Sequence, residues 1–116
     1  MKIQNYKDIA LSALREKALQ IVEAGLGAID TERAVREGIR LEGDALFVRG
    51  KKFLLQGVER ICVIGVGKAS LEACRALESV LGKRLAGGIC LDVRGLNDDS
   101  DNDNDRRLRK INVLFG

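Results

Sequence analysis

The stretch that decides the fold is Arg60–Ser70, which reads RICVIGVGKAS. Its first half, Arg60 to Ile64, is a nearly unbroken run of β-branched and apolar residues bounded by glycine. Such a run is typical of a strand buried on both faces of a sheet. Its second half, Gly65 to Ser70, is a glycine turn that leads straight into a helical pattern. Together the two halves predict the beginning of a βαβ unit.

Downstream of this turn the pattern supports the same unit. Apolar residues recur at helical spacing until Gly82, a residue suited to a helix C-cap, and they are Ala73, Ala76, Leu77, Val80 and Leu81. Gly88 to Val93 predicts a second buried strand, and Lys110 to Phe115 a third. Residues 97–105 are Asn, Asp and Ser only, which indicates a solvated loop. Because a last strand in this pattern should feed another helix, we expect an incomplete α/β domain with a Rossmann-like parallel sheet and flanking helices.

Upstream, the chain predicts two helices and a small β-hairpin. Asn5, with Asp8 three residues later, can cap a long helix that ends near Ala28. Its apolar face is Leu11, Leu14, Ala18, Ile21, Val22 and Gly25. Asp30 caps a shorter helix that carries Val35 and Ile39 and ends before Gly43. Two short apolar runs joined by Arg49-Gly50 predict the hairpin. This divides the chain into a helical lead-in (1–43), a hairpin (44–57) and the βαβ unit with its Asp-rich loop (58–116).

Composition limits the function classes. With 116 residues, the chain is one small domain or a piece of a larger one, and 46% hydrophobic with 32% charged residues is a globular composition. The net charge of +3 is too mild to argue for a nucleic-acid partner. No apolar run approaches the length of roughly 20 residues that a membrane helix needs, so we expect a cytoplasmic protein. Histidine is absent, which excludes imidazole catalysis, and three cysteines, Cys62, Cys74 and Cys90, are expected to be buried, reduced thiols.

The glycine turn is the candidate site. Backbone N–H groups at a helix start can face an anion, Lys68 adds a full positive charge, and Ser70 adds a hydroxyl. A phosphate or a carboxylate would suit this arrangement. The spacing does not fit a Walker A loop, because Cys62 stands where the first glycine is required. The alternative is that Gly65 and Gly67 only permit a tight turn and that Lys68 is solvated.

Two further motifs match only in part. Gly65-x-Gly67-x-x-Ser70 resembles a dinucleotide fingerprint with Ser in the third glycine position, and Asp92 follows Ser70 by 22 residues, about where a ribose-binding carboxylate would stand. The alternative interpretation is that Asp92 is simply a strand residue, because Leu91 and Val93 flank it. The alternating Asp99, Asp101 and Asp103 resemble a calcium loop, but Asn104 replaces its glycine and Lys110 its bidentate glutamate. We therefore predict no metal ligands, and we expect Arg106, Arg107, Arg109 and Lys110 to balance the aspartates.

The segment Arg40–Val93 resembles the N-terminal domain of the MOFRL-type (class II) glycerate 2-kinases, whose members are also called hydroxypyruvate reductases. Three motifs carry the resemblance: LEGD before the hairpin, GKAS after the first strand, and LGKRLAGG before the second. The last strand, INVLFG, is similar to the one that precedes the family's Gly-His-Pro segment. About 100 of the 116 residues lie in corresponding regions. The Asp-rich loop departs from the pattern, and the family's Ser-Gly-Gly loop and C-terminal domain are missing.

The resemblance implies ATP-dependent phosphorylation of the 2-hydroxyl of D-glycerate, with Mg²⁺, in a cleft between two domains. Lys68 would be the catalytic lysine, which holds phosphate or glycerate oxygens, while Gly65 and Gly67 shape the turn and Ser70 donates from the helix start. No residue here is a convincing base or metal ligand. The resemblance is compatible with a homodimer. Two other hypotheses remain: a nicotinamide-dependent hydroxypyruvate reductase, for which Asp92 is the support, and a non-catalytic α/β module that assembles through an exposed sheet.

Overall fold

The computed structural model describes residues 1–93 and 107–116 and divides them into two units, Met1–Asp30 and Thr31–Gly116. The predicted Asp-rich loop at 97–105, with its calcium-like spacing, lies outside the described residues. In the first unit, α1 spans Tyr6–Ile9 and α2 spans Ala13–Ala28.

The first unit corrects the prediction of one long helix that starts at Asn5. Asn5 makes no side-chain capping bond, and the chain leaves the helical conformation before Ser12, which is fully extended with ψ of 158°. The Oγ of Ser12 accepts a hydrogen bond from the N–H of Arg15 at 3.3 Å and so caps α2. Leu11 therefore lies between two helices and not on a helical face. The predicted end at Ala28 is confirmed.

The second unit begins with a helix and an antiparallel sheet. Helix α3 spans Thr31–Gly38, and strands β1 (Ile39–Glu42), β2 (Ala45–Val48) and β3 (Lys51–Leu54) pair in the order β1-β2-β3. The hairpin of β2 and β3 is confirmed, but β1 is a third strand in a stretch where the apolar spacing predicts a helix.

The error at β1 has a local cause. Gly38 ends α3, and Ile39 and Leu41 alternate with exposed charged residues, a period of two that fits a strand and not a helix. Ile39 lies opposite Val48 in the antiparallel register. Residues 1–43 are therefore not a purely helical lead-in. At the other end of β2, Arg49 and Gly50 have φ of 47° and 83°, the left-handed pair that a tight type I′ hairpin turn requires.

The rest of the unit is the predicted α/β arrangement. Strand β4 spans Ile61–Val66, helix α4 Ser70–Leu81, β5 Leu85–Asp92 and β6 Ile111–Phe115, and a single 3₁₀ turn lies between α4 and β5. The three strands form a parallel sheet in the order β4-β5-β6. The predicted fold class, an α/β domain with a Rossmann-like parallel sheet and flanking helices, is confirmed. The predicted hairpin is part of a three-stranded antiparallel sheet. Gly82, with φ of 50°, is the C-cap of α4 as predicted.

The core lies between α4 and one face of the parallel sheet. Its buried members are Val63, Cys74, Leu81, Leu85, Cys90 and Ile111. The other face of the sheet is open in this chain: Ile64 is 83% exposed and Val66 72%, and Ile89, Leu91 and Leu114 of the neighbouring strands are also exposed. The prediction that these strands are buried on both faces is therefore wrong for this chain. The apolar sequence is typical of a two-faced parallel sheet, but α4 covers one face only.

Candidate functional site

The glycine turn lies at the carboxyl edge of the parallel sheet, between β4 and α4. Gly67 has a φ of +120°, a conformation that residues with a Cβ rarely adopt. Its N–H donates to the carbonyl of Leu91 on β5 at 3.0 Å, and its own carbonyl accepts from the N–H of Ser70 at 3.1 Å. The turn is thus tied both to the adjacent strand and to the start of α4, which fixes its backbone.

Gly65 allows α4 to approach the sheet closely. A Cβ at this position would lie 2.5 Å from the Sγ of Cys74 and 3.3 Å from the Cβ of Ser70. Gly65 was predicted to shape a cofactor-binding turn, and the structure gives it a packing role between β4 and α4. This is the role that the last glycine of a dinucleotide fingerprint plays in helix–strand packing.

The side chain of Ser70 is directed into the protein. It is only 7% exposed, its hydroxyl donates to the carbonyl of Leu91 at 2.9 Å, and the Sγ of Cys90 lies 3.3 Å from its oxygen. A hydroxyl has one proton to donate, and here Leu91 accepts it. The predicted donation from Ser70 to a ligand would therefore require this bond to break.

Lys68 is exposed at the tip of the turn, two residues before α4 begins. Within residues 1–93 and 107–116, no carboxylate comes within salt-bridge distance of its ammonium group. In the same ranges, the N–H groups of Lys68 and Ala69 donate no hydrogen bond. A long cationic side chain and two unused amide donors therefore stand together at the carboxyl edge, where ligands of open α/β sheets bind. Of the four predicted site residues, Lys68 is the one whose side chain is presented to solvent.

Asp92 reaches the same turn from the end of β5, in a contact that the sequence analysis did not predict. One carboxylate oxygen accepts from the N–H of Leu71 at 2.7 Å, and the other accepts from the N–H of Val93 at 2.6 Å. The side chain is 6% exposed. Its spacing from Ser70 suggested a ribose ligand, but the structure makes it the cap of α4. Ala69 at the N-cap position was an available signal, because an alanine there supplies no acceptor.

The cysteines divide into two environments. Cys74 and Cys90 are buried as predicted, while Cys62 is exposed on the open face of the sheet, which corrects the prediction for that residue. Burial, followed by the neighbouring Cys90, raises the pKa of the Cys74 thiol to about 12. A thiol with so high a pKa is protonated at neutral pH and is a poor nucleophile. Cys74 is therefore a core residue.

A cationic groove of about 670 Å³ lies at the opposite, amino edge of the sheet. The Glu78 carboxylate accepts from the N–H groups of Arg109 (2.6 Å) and Lys110 (3.2 Å). The Nζ of Lys110 donates to the carbonyls of Gly82 and Leu85 at 3.2 and 2.8 Å. Lys110 therefore satisfies carbonyls just past the C-terminus of α4, a favourable place for a cation. The aspartates that these cations are predicted to balance lie outside the described residues.

The described residues do not form a metal site. Within 1–93 and 107–116, no three His, Cys, Asp or Glu side chains converge as metal ligands. They therefore offer no cage of protein ligands for Mg²⁺, an ion that proteins usually hold through one or two carboxylates and the phosphates of the substrate. In the same part of the chain, no helix has the length and apolar character that crossing a membrane requires.

Comparisons with known proteins agree on one family. Residues 17–115 match the family described as "Domain of unknown function (DUF4147)". The chain is similar to a glycerate 2-kinase of Pyrococcus horikoshii, with 37% identity over 59% of this chain and 15% of the relative. It is also similar to a glycerate kinase of Rattus norvegicus, with 31% identity over 72% of this chain and 16% of the relative.

A solved structure supports the same relationship. The crystal structure of the PH0495 protein from Pyrococcus horikoshii OT3 matches with a TM-score of 0.63 and 28% identity, over 90% of this chain and 21% of that protein. The chain thus spans about a sixth of the length of the curated relatives. The motifs, the glycine turn and the shared fold agree with these matches: the chain belongs to the DUF4147 family, the N-terminal domain of the MOFRL-type glycerate kinases.

Proposed function

We propose that this chain supplies the glycine turn and the anion-binding lysine of an ATP-dependent glycerate 2-kinase. The observation that carries the proposal is the position of Lys68, which is exposed beside two unused amide donors at the carboxyl edge of the sheet. The relatives named glycerate kinase support the reaction class. In this reaction the 2-hydroxyl oxygen of D-glycerate bonds to the γ-phosphorus of ATP, the bond to the bridging oxygen breaks, and the hydroxyl proton is released.

Lys68 would act by electrostatics. A fixed ammonium group near the reacting oxygens holds the acidic ligand and offsets the negative charge that accumulates around the transferred phosphoryl group. The turn would hold the backbone from which this side chain extends, because Gly67 is hydrogen-bonded to both Leu91 and Ser70. Mg²⁺ and a base for the hydroxyl proton belong to the proposed reaction and would come from outside the described residues.

The position of Asp92 supports the reductase alternative less well. It relied on Asp92 as a ribose ligand, and both oxygens of that carboxylate accept backbone hydrogen bonds within this chain. In an assay of full-length protein with hydroxypyruvate and NADH, we expect no loss of nicotinamide absorbance. Steady hydroxypyruvate-dependent oxidation of NADH would reverse the ranking of the two activities.

Substitution of Lys68 tests the kinase proposal directly. In a full-length enzyme that contains this segment, Lys68→Ala should lower glycerate phosphorylation at least ~100-fold, because a preorganised charge of this kind contributes a few kcal/mol to the transition state. Thermal stability should change little, because the side chain is exposed. Lys83→Ala, also exposed but at the amino edge, is the matched control and should keep full activity. Turnover by Lys68→Ala near that of the control would exclude Lys68 from the mechanism.

A further inference from the structure

The N-terminus of α4 already carries an anion that belongs to the same chain. A helix start attracts negative charge, because its first N–H groups have no partner within the helix. Here the Asp92 carboxylate accepts from the N–H of Leu71 at 2.7 Å, at a position where a local Ser or Asp cap would otherwise accept. At 6% exposure the carboxylate is buried, and a buried charge is screened by salt much less than an exposed one.

Three backbone N–H groups of the turn and the helix start already donate hydrogen bonds within the chain. The N–H of Gly67 is bonded to Leu91, that of Ser70 to Gly67, and that of Leu71 to Asp92. These are donors that a phosphate at a helix N-terminus normally uses. In the described part of the chain, the amides of Lys68 and Ala69 remain without an acceptor, together with the Lys68 ammonium group. A ligand that uses the amides of Lys68 and Ala69 therefore binds within the same turn that the Asp92 carboxylate caps.

We propose that Asp92 is a specificity-determining residue, whose buried carboxylate excludes doubly charged phosphate groups from the start of α4. Repulsion from a fixed negative charge grows with the charge of the ligand, so a phosphate group is penalised more than a carboxylate. The anion that Lys68 holds before transfer is thereby a singly charged one, such as the carboxylate that D-glycerate carries, while the Lys68 charge still acts on the transferring phosphoryl group from a distance. This inference rests on the proposed use of Lys68 as an anion contact.

The test compares two probes, inorganic pyrophosphate and D-glycerate, on the purified chain at a concentration where light scattering shows a monomer, with binding followed through the amide resonances of Lys68 and Ala69. Asp92→Asn keeps an oxygen that can accept from Leu71 and removes the charge. We expect this variant to bind pyrophosphate at least tenfold more tightly than the natural chain, a difference of about 1.4 kcal/mol, with less than a threefold change for D-glycerate. Asp92→Ser, which can also cap a helix, is a second variant should the amide disturb the fold.

Glu72→Gln is the matched control, because it removes one negative charge from the same helical turn at an exposed position. A purely structural Asp92 would not alter the ratio of the two affinities. The proposal is overturned if Asp92→Asn and Glu72→Gln bind pyrophosphate equally, or if Asp92→Asn binds D-glycerate tenfold more tightly as well. If the gain in pyrophosphate affinity persists in Asp92→Asn/Lys68→Ala, exclusion by Asp92 stands and Lys68 is not the anion contact of the proposed kinase.

Discussion

A Cβ at Gly65 would lie 2.5 Å from the Sγ of Cys74, so the packing of α4 on β4 at this point requires a residue without a side chain opposite the thiol. Real Cβ atoms essentially never approach another heavy atom this closely. Gly65 lies in β4 and Cys74 in α4, the two elements that the glycine turn joins. A larger residue at position 65 would therefore force these elements apart beside the turn.

Substitution of Gly65 should destabilise the fold. Gly65→Ala forces Cys74 or α4 to shift, and we expect a loss of about 1–3 kcal/mol in the free energy of unfolding, measured by urea denaturation. The double variant Gly65→Ala/Cys74→Ala should lose less free energy of unfolding than the two single variants lose together, because the sulfur that clashes with the new Cβ is gone. Gly25→Ala, in the open surroundings of α2, should instead stabilise the chain by up to about 1 kcal/mol. Strict additivity in the double variant would show that the two residues do not compete for space.

Two adjacent glycines of β5 should respond very differently to the same substitution. A Cβ at Gly88 would overlap the backbone carbonyl of Val63, whereas a Cβ at Gly87 would meet the carbonyl of Lys110 at an ordinary 3.6 Å. Backbone atoms cannot rotate away as a side chain can. We expect Gly88→Ala to cost at least ~3 kcal/mol and Gly87→Ala less than ~1 kcal/mol in thermal unfolding. Equal melting temperatures for the two variants would contradict the close approach of β4 to β5 at Gly88.

The buried thiol of Cys74 should make stability fall at alkaline pH. Its pKa in the folded chain is raised to about 12 from an ordinary 9.0, so the unfolded chain releases this proton first. The contribution to stability is complete below the ordinary pKa and is lost as pH rises through the raised one, with a slope of up to about 1.4 kcal/mol per pH unit.

Denaturation between pH 7 and 10.5 measures this slope. Cys74→Ala should flatten the alkaline part of the profile, whereas Cys62→Ala, at an exposed thiol, should leave it unchanged. A thiol reagent at pH 8 should label Cys62 and spare Cys74 until denaturant is added. Rapid labelling of Cys74 in the folded chain would show that it is not buried as described.

The open face of the parallel sheet should cause self-association of the isolated chain. Ile64, at 83% exposure, lies among other exposed apolar residues of the three strands, and surfaces of this kind associate in water. Light scattering should show species larger than a monomer, and Ile64→Lys should shift the distribution toward the monomer. Ile21→Lys is a matched control, since Ile21 is 75% exposed on α2. A monodisperse monomer of the natural chain would refute the prediction, as would an equal effect of the two variants.

The sequence by itself determined the local elements around the turn. The apolar run of β4, the helical period of α4 and the Gly82 cap are encoded by neighbouring residues, and each prediction falls close to the observed position. The hairpin turn at Arg49-Gly50 is likewise encoded by the residues that form it. The identity of Lys68 as a candidate also came from sequence, because a cation between a glycine turn and a helix start needs no distant partner to be recognised.

Local competition explains the elements that were misplaced. Ser12 offers a better cap than Asn5, because its hydroxyl bonds to Arg15 while Asn5 makes no such bond. Ile39 continues the apolar period of α3, but Gly38 ends that helix and Val48 supplies a strand partner. A periodic pattern alone does not show which of two regular structures gains more from its neighbours.

Only the tertiary structure decided how the turn is used. The carboxylate of Asp92 caps α4 because parallel pairing brings the end of β5 beside the end of β4, and residues 21 positions apart become hydrogen-bonded. The same pairing turns the Ser70 hydroxyl toward Leu91 and leaves Lys68 exposed. The exposure of Cys62 and Ile64 was decided in the same way, because an apolar strand has the same sequence whether one face is covered or both. Sequence periodicity encodes which residues share a face, whereas the atoms packed against that face are fixed by contacts between distant parts of the chain.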